Sequence, residues 1–287
     1  MVSVADSSAP ARGSRLHIVD ELIIERAPKL AASPFWPVLR PALFGLLGYG
    51  KARRMADTIA PMSGQEAMDY VSGLLTLQVE VDGLDRVPAT GAIITVSNHP
   101  TGIADGVAAY DALKRVRRDL IFYANADANR VVPRFDDVLI PVELNAAKRS
   151  REATRLTLQR TNAALEGGKA LVTFPPGRLA RVRNKVLLDE PWQPTAISLA
   201  RKFQAPLVPI HVAGPWSFLF HFFDSFSGEL RDITLFHELL NKKGQRFRLV
   251  VGEPIDAETI PGDPPEAIRL LKHYVEFDLP AGRTKFG

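Results

Sequence analysis

A histidine and a carboxylate six residues apart, His99 and Asp105, lie in the run Ser97-Asn98-His99-Pro100-Thr101-Gly102-Ile103-Ala104-Asp105-Gly106. Neutral imidazole accepts a proton from a hydroxyl or amine near pH 7. A carboxylate on the other ring nitrogen fixes the tautomer and stabilises the imidazolium that forms. Such a pair lets an acceptor attack a carbonyl directly, with no protein nucleophile. The chain has no cysteine, which excludes thiolate catalysis, disulfides and thiolate zinc sites. Its six histidines show no HExxH-type spacing. Residues six apart on a regular helix do not share a face. His99 therefore reaches Asp105 only if the segment starts outside the helix, a bend that Gly102 makes sterically easy. Pro100 suits a first helical position. The alternative is a structural histidine at a helix start with an exposed aspartate.

The second informative run is Val172-Thr173-Phe174-Pro175-Pro176-Gly177-Arg178-Leu179-Ala180-Arg181. A Pro-Pro-Gly turn there presents Arg178 and Arg181, whose guanidinium groups can clamp a phosphate bidentately. Gly177 lets the backbone approach a ligand. A basic loop taken alone is usually a solvated surface, but two such loops at neighbouring strand ends make one site.

The elements that must position these residues follow from periodicity. Residues 92–97 form a β-branched run suited to a buried strand just before His99, and 170–174 do the same before the Pro-Pro-Gly turn. Further strands are expected at 77–81, 120–124, 206–212 and 247–252. Helices are expected at 61–75, 103–116, 149–166, 195–203, 228–241 and 265–277. Alternating strands and helices argue for an α/β fold: a mixed, largely parallel sheet flanked by helices. Ligand sites in such folds sit at the carboxyl ends of strands, where both runs lie. The expected division is a disordered tail over 1–15, a helical N-terminal region over 16–75, and the α/β domain over 76–287.

The chain has 287 residues, 46% hydrophobic and 24% charged, the composition of a folded globular protein. A formal charge of +4 is a mild excess, compatible with anionic lipid or acidic substrates. No nucleic-acid-binding module is present, so nucleic acid is not an expected partner. The apolar stretch 33–50 is interrupted by Pro34, Pro37, Arg40 and Pro41 and is too short to span a bilayer. It either lies in the membrane interface, with Phe35 and Trp36 among headgroups and Lys51, Arg53 and Arg54 beyond, or packs on the main domain. The aromatic run 215–226 is a buried helix or, as the sharper reading, a membrane-dipping or acyl-chain-lining segment. His211, in an apolar strand, reads as a satisfied core histidine. Arg149 and Arg151 read as a solvated helix start.

The run NHPTGIAD resembles the first block, NHxxxxD, of the glycerolipid (lysophospholipid) acyltransferases, a family that includes the 1-acylglycerol-3-phosphate acyltransferases. FPPG resembles their FPEG block, and Pro206-Leu207-Val208-Pro209-Ile210 their later VPI block. The bacterial hemolysin-like subgroup is the nearest in pattern, through NHPxGxxDG, FPAGE and a tail matched by Glu238-Leu239-Leu240-Asn241-Lys242-Lys243-Gly244 and Val251-Gly252-Glu253-Pro254-Ile255. The resemblance runs in order from about residue 77 to 255. It implies an acyl-CoA- or acyl-carrier-protein-dependent O-acyltransferase, with His99 as general base and Asp105 as its orienting acid. Asn98, Gly102, Gly177, Arg178 and Arg181 are the expected substrate-binding residues. Neither a metal nor a bound cofactor is implied, the acyl carrier being a co-substrate. The implied partners are that carrier, a lysophospholipid or glycerol-phosphate acceptor and a membrane surface, at the cytoplasmic face of the inner membrane as a peripheral protein. Two departures stand out. The His-to-Asp spacing is one residue longer than the common family pattern, and the third-block glutamate is missing: Pro176 stands where FPEG has Glu, and Arg178 where FPAGE has it. These departures motivate two alternatives, a non-glycerolipid acceptor such as a lyso-amino-acid lipid or a sphingoid amine, and a non-catalytic lipid-binding protein.

Overall fold

The computed structural model describes residues 16–143, 150–183 and 186–287. The expected 1–15 tail and Arg149 lie outside these. Nine strands are described: β1 (Gln78–Asp82), β2 (Ile93–Ser97), β3 (Leu120–Asn125), β4 (Leu139–Val142), β5 (Ala170–Thr173), β6 (Arg181–Arg183), β7 (Val186–Leu188), β8 (Leu207–Ala213) and β9 (Arg246–Val251). Seven of them form one sheet in the order β1-β9-β8-β2-β5-β3-β4. β8, β2, β5, β3 and β4 run parallel, β9 is antiparallel to β8, and β1 is parallel to β9. The sheet is mixed and largely parallel, as expected. β6 and β7 pair as a separate antiparallel hairpin.

β2 lies at the centre and every one of its residues is buried. Central parallel strands are covered on both faces, so they read as continuous apolar runs rather than alternating ones. Side chains still alternate between faces along each strand. Ile93, Val172 and Val208 enter one apolar cluster, while Ile94, Leu171 and Leu207 enter the other. The first cluster is closed by α1 (Ile18–Arg26), α4 (Tyr49–Ile59), α5 (Gly64–Leu75) and α6 (Ile103–Leu113), through Leu22, Met55, Leu75 and Leu113 among others. The second is closed by α9 (Thr195–Phe203) and α13 (Pro264–His273), through Ile197, Leu199, Ile268 and Leu271. The N-terminal helices thus share a core with the sheet.

Between these lie α2 (Pro28–Ala31) and α3 (Trp36–Leu46), then α7 (Asp127–Val131), α8 (Arg151–Glu166), α10 (Phe218–Asp224), α11 (Gly228–Asp232) and α12 (Leu235–Leu240). α3 contains no fully buried residue; Val38, Leu39 and Leu46 are exposed, as is Phe35 just before it, whereas Leu43 and Phe44 pack on the core. The helix expected over 228–241 is two helices. Thr234 donates its hydroxyl to the Arg231 carbonyl at 2.7 Å, a local bond that competes with a continuous helix. The last helix ends at His273 and widens into a π turn over Tyr274–Asp278. β4 and the β6–β7 hairpin were not expected. β4 carries Pro141 and sits at the sheet edge, the place where proline is tolerated in a strand. Among the described residues, no helix is long and apolar enough to cross a membrane.

The tail run Glu238–Gly244 holds a buried ion pair. Lys242 Nζ lies 3.1 Å from Glu238 Oε2 and also donates to Ser217 Oγ at 3.0 Å. The pair ties α12 to the start of α10. Lys242→Ala strands the Glu238 carboxylate in the interior, which costs about 3–5 kcal/mol; an apolar pair, Lys242→Met with Glu238→Leu, should recover most of it. Denaturation midpoints of the single and double variants check this, and a single variant as stable as wild type contradicts it.

Candidate active site

The carboxyl end of β2 carries residues 98–102 as an irregular loop before α6 begins at Ile103. Pro100 was expected at the first helical position; it stands three residues ahead of the helix, within this loop. The non-helical loop is what permits the six-residue spacing to close. His99 Nδ1 lies 3.0 Å from Asp105 Oδ2. The ring N–H is not aligned for a linear hydrogen bond, a looseness common before substrate tightens a catalytic pair. The His99 side chain is 16% exposed and that of Asp105 0%: the imidazole is reachable and its partner is sealed.

Asp105 also organises the loop. Its Oδ2 accepts from the Thr101 and Gly102 main-chain N–H groups at 2.8 and 3.0 Å, and its Oδ1 accepts from Thr101 Oγ1 at 2.6 Å. It sits on the third residue of α6 and reaches back to the helix N-terminus, where a negative charge is favoured. Gly102 adopts φ 81°, and a Cβ there would come within 3.0 Å of the Leu179 side chain. Only glycine satisfies both the left-handed backbone and the close approach.

Two neighbouring strands brace this loop. On the β8 side, the Asn98 amide donates to the Val212 carbonyl at 2.9 Å and accepts from the Val212 N–H at 2.7 Å. Both ends of a side chain expected to bind substrate are therefore spent on the β8 backbone, and Asn98 fastens the His99 loop to the sheet. On the β5 side, Phe174 stacks against the His99 ring with centroids 4.6 Å apart, and the Ala180 N–H donates to the His99 carbonyl at 2.9 Å. The Pro-Pro-Gly turn closes through a bond from the Gly177 N–H to the Phe174 carbonyl, with Gly177 at φ 64°.

The two arginines of that loop are placed differently. Arg178 is exposed and has no ion-pair partner among the described residues. Arg181 lies 3.5 Å from Glu190 and 3.9 Å from Asp224, so its charge is already matched by the chain's own carboxylates. The expected two-arginine clamp reduces to one free guanidinium, Arg178. Arg151 is exposed at the start of α8.

Sequence reasoning missed Thr101 and Asp189. Asp189 is buried and accepts from the His99 main-chain N–H at 3.1 and 3.2 Å and from Trp192 Nε1 at 2.9 Å. Burial pushes its carboxyl up to about 7, against the opposing pull of the Trp192 and His99 donors. No spacing pattern marks an aspartate ninety residues away as a neighbour of His99. His211 is half-buried, with Nδ1 2.9 Å from the Val275 carbonyl, and burial lowers its pKa. Among the described residues, no group of three or more His, Asp or Glu side chains is placed to hold a metal ion.

A reachable histidine backed by a sealed aspartate stands at the carboxyl end of the central strand. The family model for acyltransferases matches residues 78–213, from the first residue of β1 to the last of β8. The lyso-glycine lipid O-acyltransferase of Bacteroides thetaiotaomicron is 24% identical over 202 residues, 68% of this chain and 72% of the relative. Its namesake from Phocaeicola vulgatus is also 24% identical over 202 residues, 71% of that protein. Among solved structures, the 1-acyl-sn-glycerophosphate acyltransferase PlsC of Thermotoga maritima aligns over 94% of this chain and 98% of its own, with 13% identity and a TM-score of 0.46. Residues 78–213 thus match an acyltransferase domain, and the chain is similar to lyso-glycine lipid O-acyltransferases over most of its length.

Proposed function

We propose that the protein transfers a fatty acyl group from acyl-CoA or acyl-carrier protein to the hydroxyl of a lysolipid, with His99 as general base. The observation that carries this reading is the 3.0 Å approach of His99 Nδ1 to the sealed Asp105 carboxylate. With Nδ1 facing Asp105, whose carboxylate it engages once substrate tightens the pair, Nε2 takes the acceptor proton as the oxygen attacks the thioester carbonyl. The tetrahedral intermediate collapses, the C–S bond breaks, and His99 returns the proton to the departing thiolate. The main-chain N–H groups of Thr101, Gly102 and Gly177 already donate within the chain, so an oxyanion donor has to come from elsewhere around the site. No metal or bound cofactor takes part in this scheme.

The acceptor head group is anionic in this reading. Arg178 is an exposed cation with no ion-pair partner among the described residues, on the loop beside His99, and it stands where the related pattern has glutamate. That change of sign suits an anionic head group of either kind, phosphate or carboxylate, and the relatives' names favour a lyso-amino-acid lipid such as lyso-glycine lipid. The lipid is taken from a membrane surface, at the cytoplasmic face of the inner membrane. Trp216, Phe218, Phe222 and Phe226 form an exposed ladder of rings with successive centroids 5.7, 6.1 and 5.3 Å apart, suited to a headgroup boundary. Exposed Lys51, Arg53 and Arg54 on α4 follow the exposed apolar residues of α3.

The test is acyl transfer from labelled acyl-CoA and acyl-carrier protein to lyso-glycine lipid, lysophosphatidic acid and a sphingoid amine. We expect ester formation on lyso-glycine lipid to be faster in kcat/KM than on lysophosphatidic acid, and at least about tenfold faster than amide formation on the cationic sphingoid amine, the size of one charge-assisted contact. Preference for lysophosphatidic acid would reverse the head-group assignment. Binding of lysolipid without turnover of any donor would replace the enzyme scheme with lipid binding.

A further inference from the structure

Asp189 is a buried carboxylate with no part in the transfer of the acceptor proton to His99. It follows β7 and reaches the His99 loop. Both of its oxygens face the His99 main-chain N–H, at 3.1 and 3.2 Å, and Oδ2 also accepts from Trp192 Nε1 at 2.9 Å. Its own main-chain N–H donates to Glu276 Oε1 at 2.9 Å. With the Ala180 N–H on the His99 carbonyl, the histidine backbone is gripped on both sides.

We propose that Asp189 is a positioning residue whose ionised carboxylate clamps the His99 main chain and holds the imidazole between Asp105 and the acceptor hydroxyl. The proposal rests on His99 being the base. Ordinary backbone satisfaction needs only a neutral acceptor; burying a carboxylate for the purpose is expensive. What the charge adds is a field. A negative group on the His99 main chain favours the imidazolium that forms as the acceptor loses its proton.

The groups facing Asp189 are few. His99 lies on the β2 loop and Trp192 on its own segment. Glu276, on the turn after α13, is paired with Lys272 and faces His211 on β8. Glu190, next along the chain, is turned to Arg181. Glu276 and burial both favour the neutral acid at Asp189, while the Trp192 and His99 donors favour the anion.

Activity and stability then respond to acid in opposite directions. The folded-state value, about 7, lies above the ordinary carboxylate value. Protonation of this group therefore favours the folded state, and its contribution to stability rises as pH falls from about 7 towards 4. The clamp needs the anion, so activity falls over the same range. A purely structural Asp189 would not produce that opposition.

The experiment is steady-state kinetics of the full chain from roughly pH 5 to 9, for wild type, Asp189→Asn, Trp192→Phe and His99→Gln. In Asp189→Asn we expect kcat to fall about tenfold with KM within about threefold, since geometry rather than affinity is lost. The acid limb of log kcat/KM should lose one of its two protons, its slope going from 2 to 1. Trp192→Phe removes a donor from the anion and should move the acid limb to higher pH. Wild-type kcat and an unchanged acid limb in Asp189→Asn would overturn the proposal. Should that variant fail to fold, an unmoved acid limb in Trp192→Phe overturns it instead. Loss of activity in His99→Gln with no effect at Asp189 or Trp192 removes the clamp alone; full activity in His99→Gln removes the base and the clamp together.

Discussion

His99→Gln should lower kcat by about 10²–10⁴-fold, the usual worth of a positioned general base. That range corresponds to about 3–5 kcal/mol of lost transition-state stabilisation. Glutamine is similar in size, carries polar atoms, and cannot take up a proton at neutral pH. The site tolerates it: the His99 ring is partly exposed and its main chain is held by Asp189 and Ala180 irrespective of side chain. The loss should fall on kcat with KM nearly unchanged, because proton removal occurs only on the way to the transition state. Single-turnover acyl transfer with unchanged lysolipid binding checks this. Activity within about threefold of wild type would remove His99 from the mechanism.

Asp105→Asn separates the two duties of the sealed carboxylate. If the amide oxygen takes the place of Oδ2, it keeps the bonds from the Thr101 and Gly102 N–H groups and its approach to His99 Nδ1. The amide N–H₂ then faces Thr101 Oγ1, whose hydroxyl can rotate to accept. The helix cap survives, at a cost of about 1–2 kcal/mol in stability. The charge that stabilises the imidazolium does not survive, and kcat should fall about 10²–10⁴-fold. Asp105→Ala, by contrast, leaves two buried main-chain donors without partners, at about 1–3 kcal/mol each, and should lower the melting midpoint as well as kcat. Measuring kcat and thermal midpoints for both variants distinguishes a catalytic carboxylate from a cap. Near-wild-type kcat in a folded Asp105→Asn would leave the residue only its capping role.

The contrast between elements that were legible in the sequence and those that were not has a consistent cause. β2, β5 and β8 stood out because strands buried on both faces demand unbroken apolar runs, and α9 occupies the residues its periodicity marks. β4 did not stand out, because Pro141 argues against a strand anywhere except an edge, and edge position is a property of the assembled sheet. The 228–241 helix was read as continuous because hydrophobic spacing does not register the Thr234 hydroxyl bonding to the Arg231 carbonyl. Among the site residues, glycine at 102 was readable from sterics alone, and the structure adds Leu179 as the reason for it. The arginines were readable as charges. Which of them is free was not, since the Asp224 that faces Arg181 comes from a helix beyond β8.

By itself the sequence determined the reacting types and their sequential neighbourhoods: an imidazole and a carboxylate flanking a glycine after a buried strand, and a basic turn after another. It also determined the alternation that makes the sheet, since both depend on local chemistry and short-range period. Only the tertiary structure decided that His99 meets Asp105, because that needs residues 98–102 out of the helix and pinned by Val212, Ala180 and Asp189. Those three residues lie 114, 81 and 90 positions from the residues they hold, and the order of the parallel strands together with the β6–β7 hairpin brings them together. Hydrogen bonds at such separations leave no periodic trace in the chain; they exist only once the sheet has been assembled.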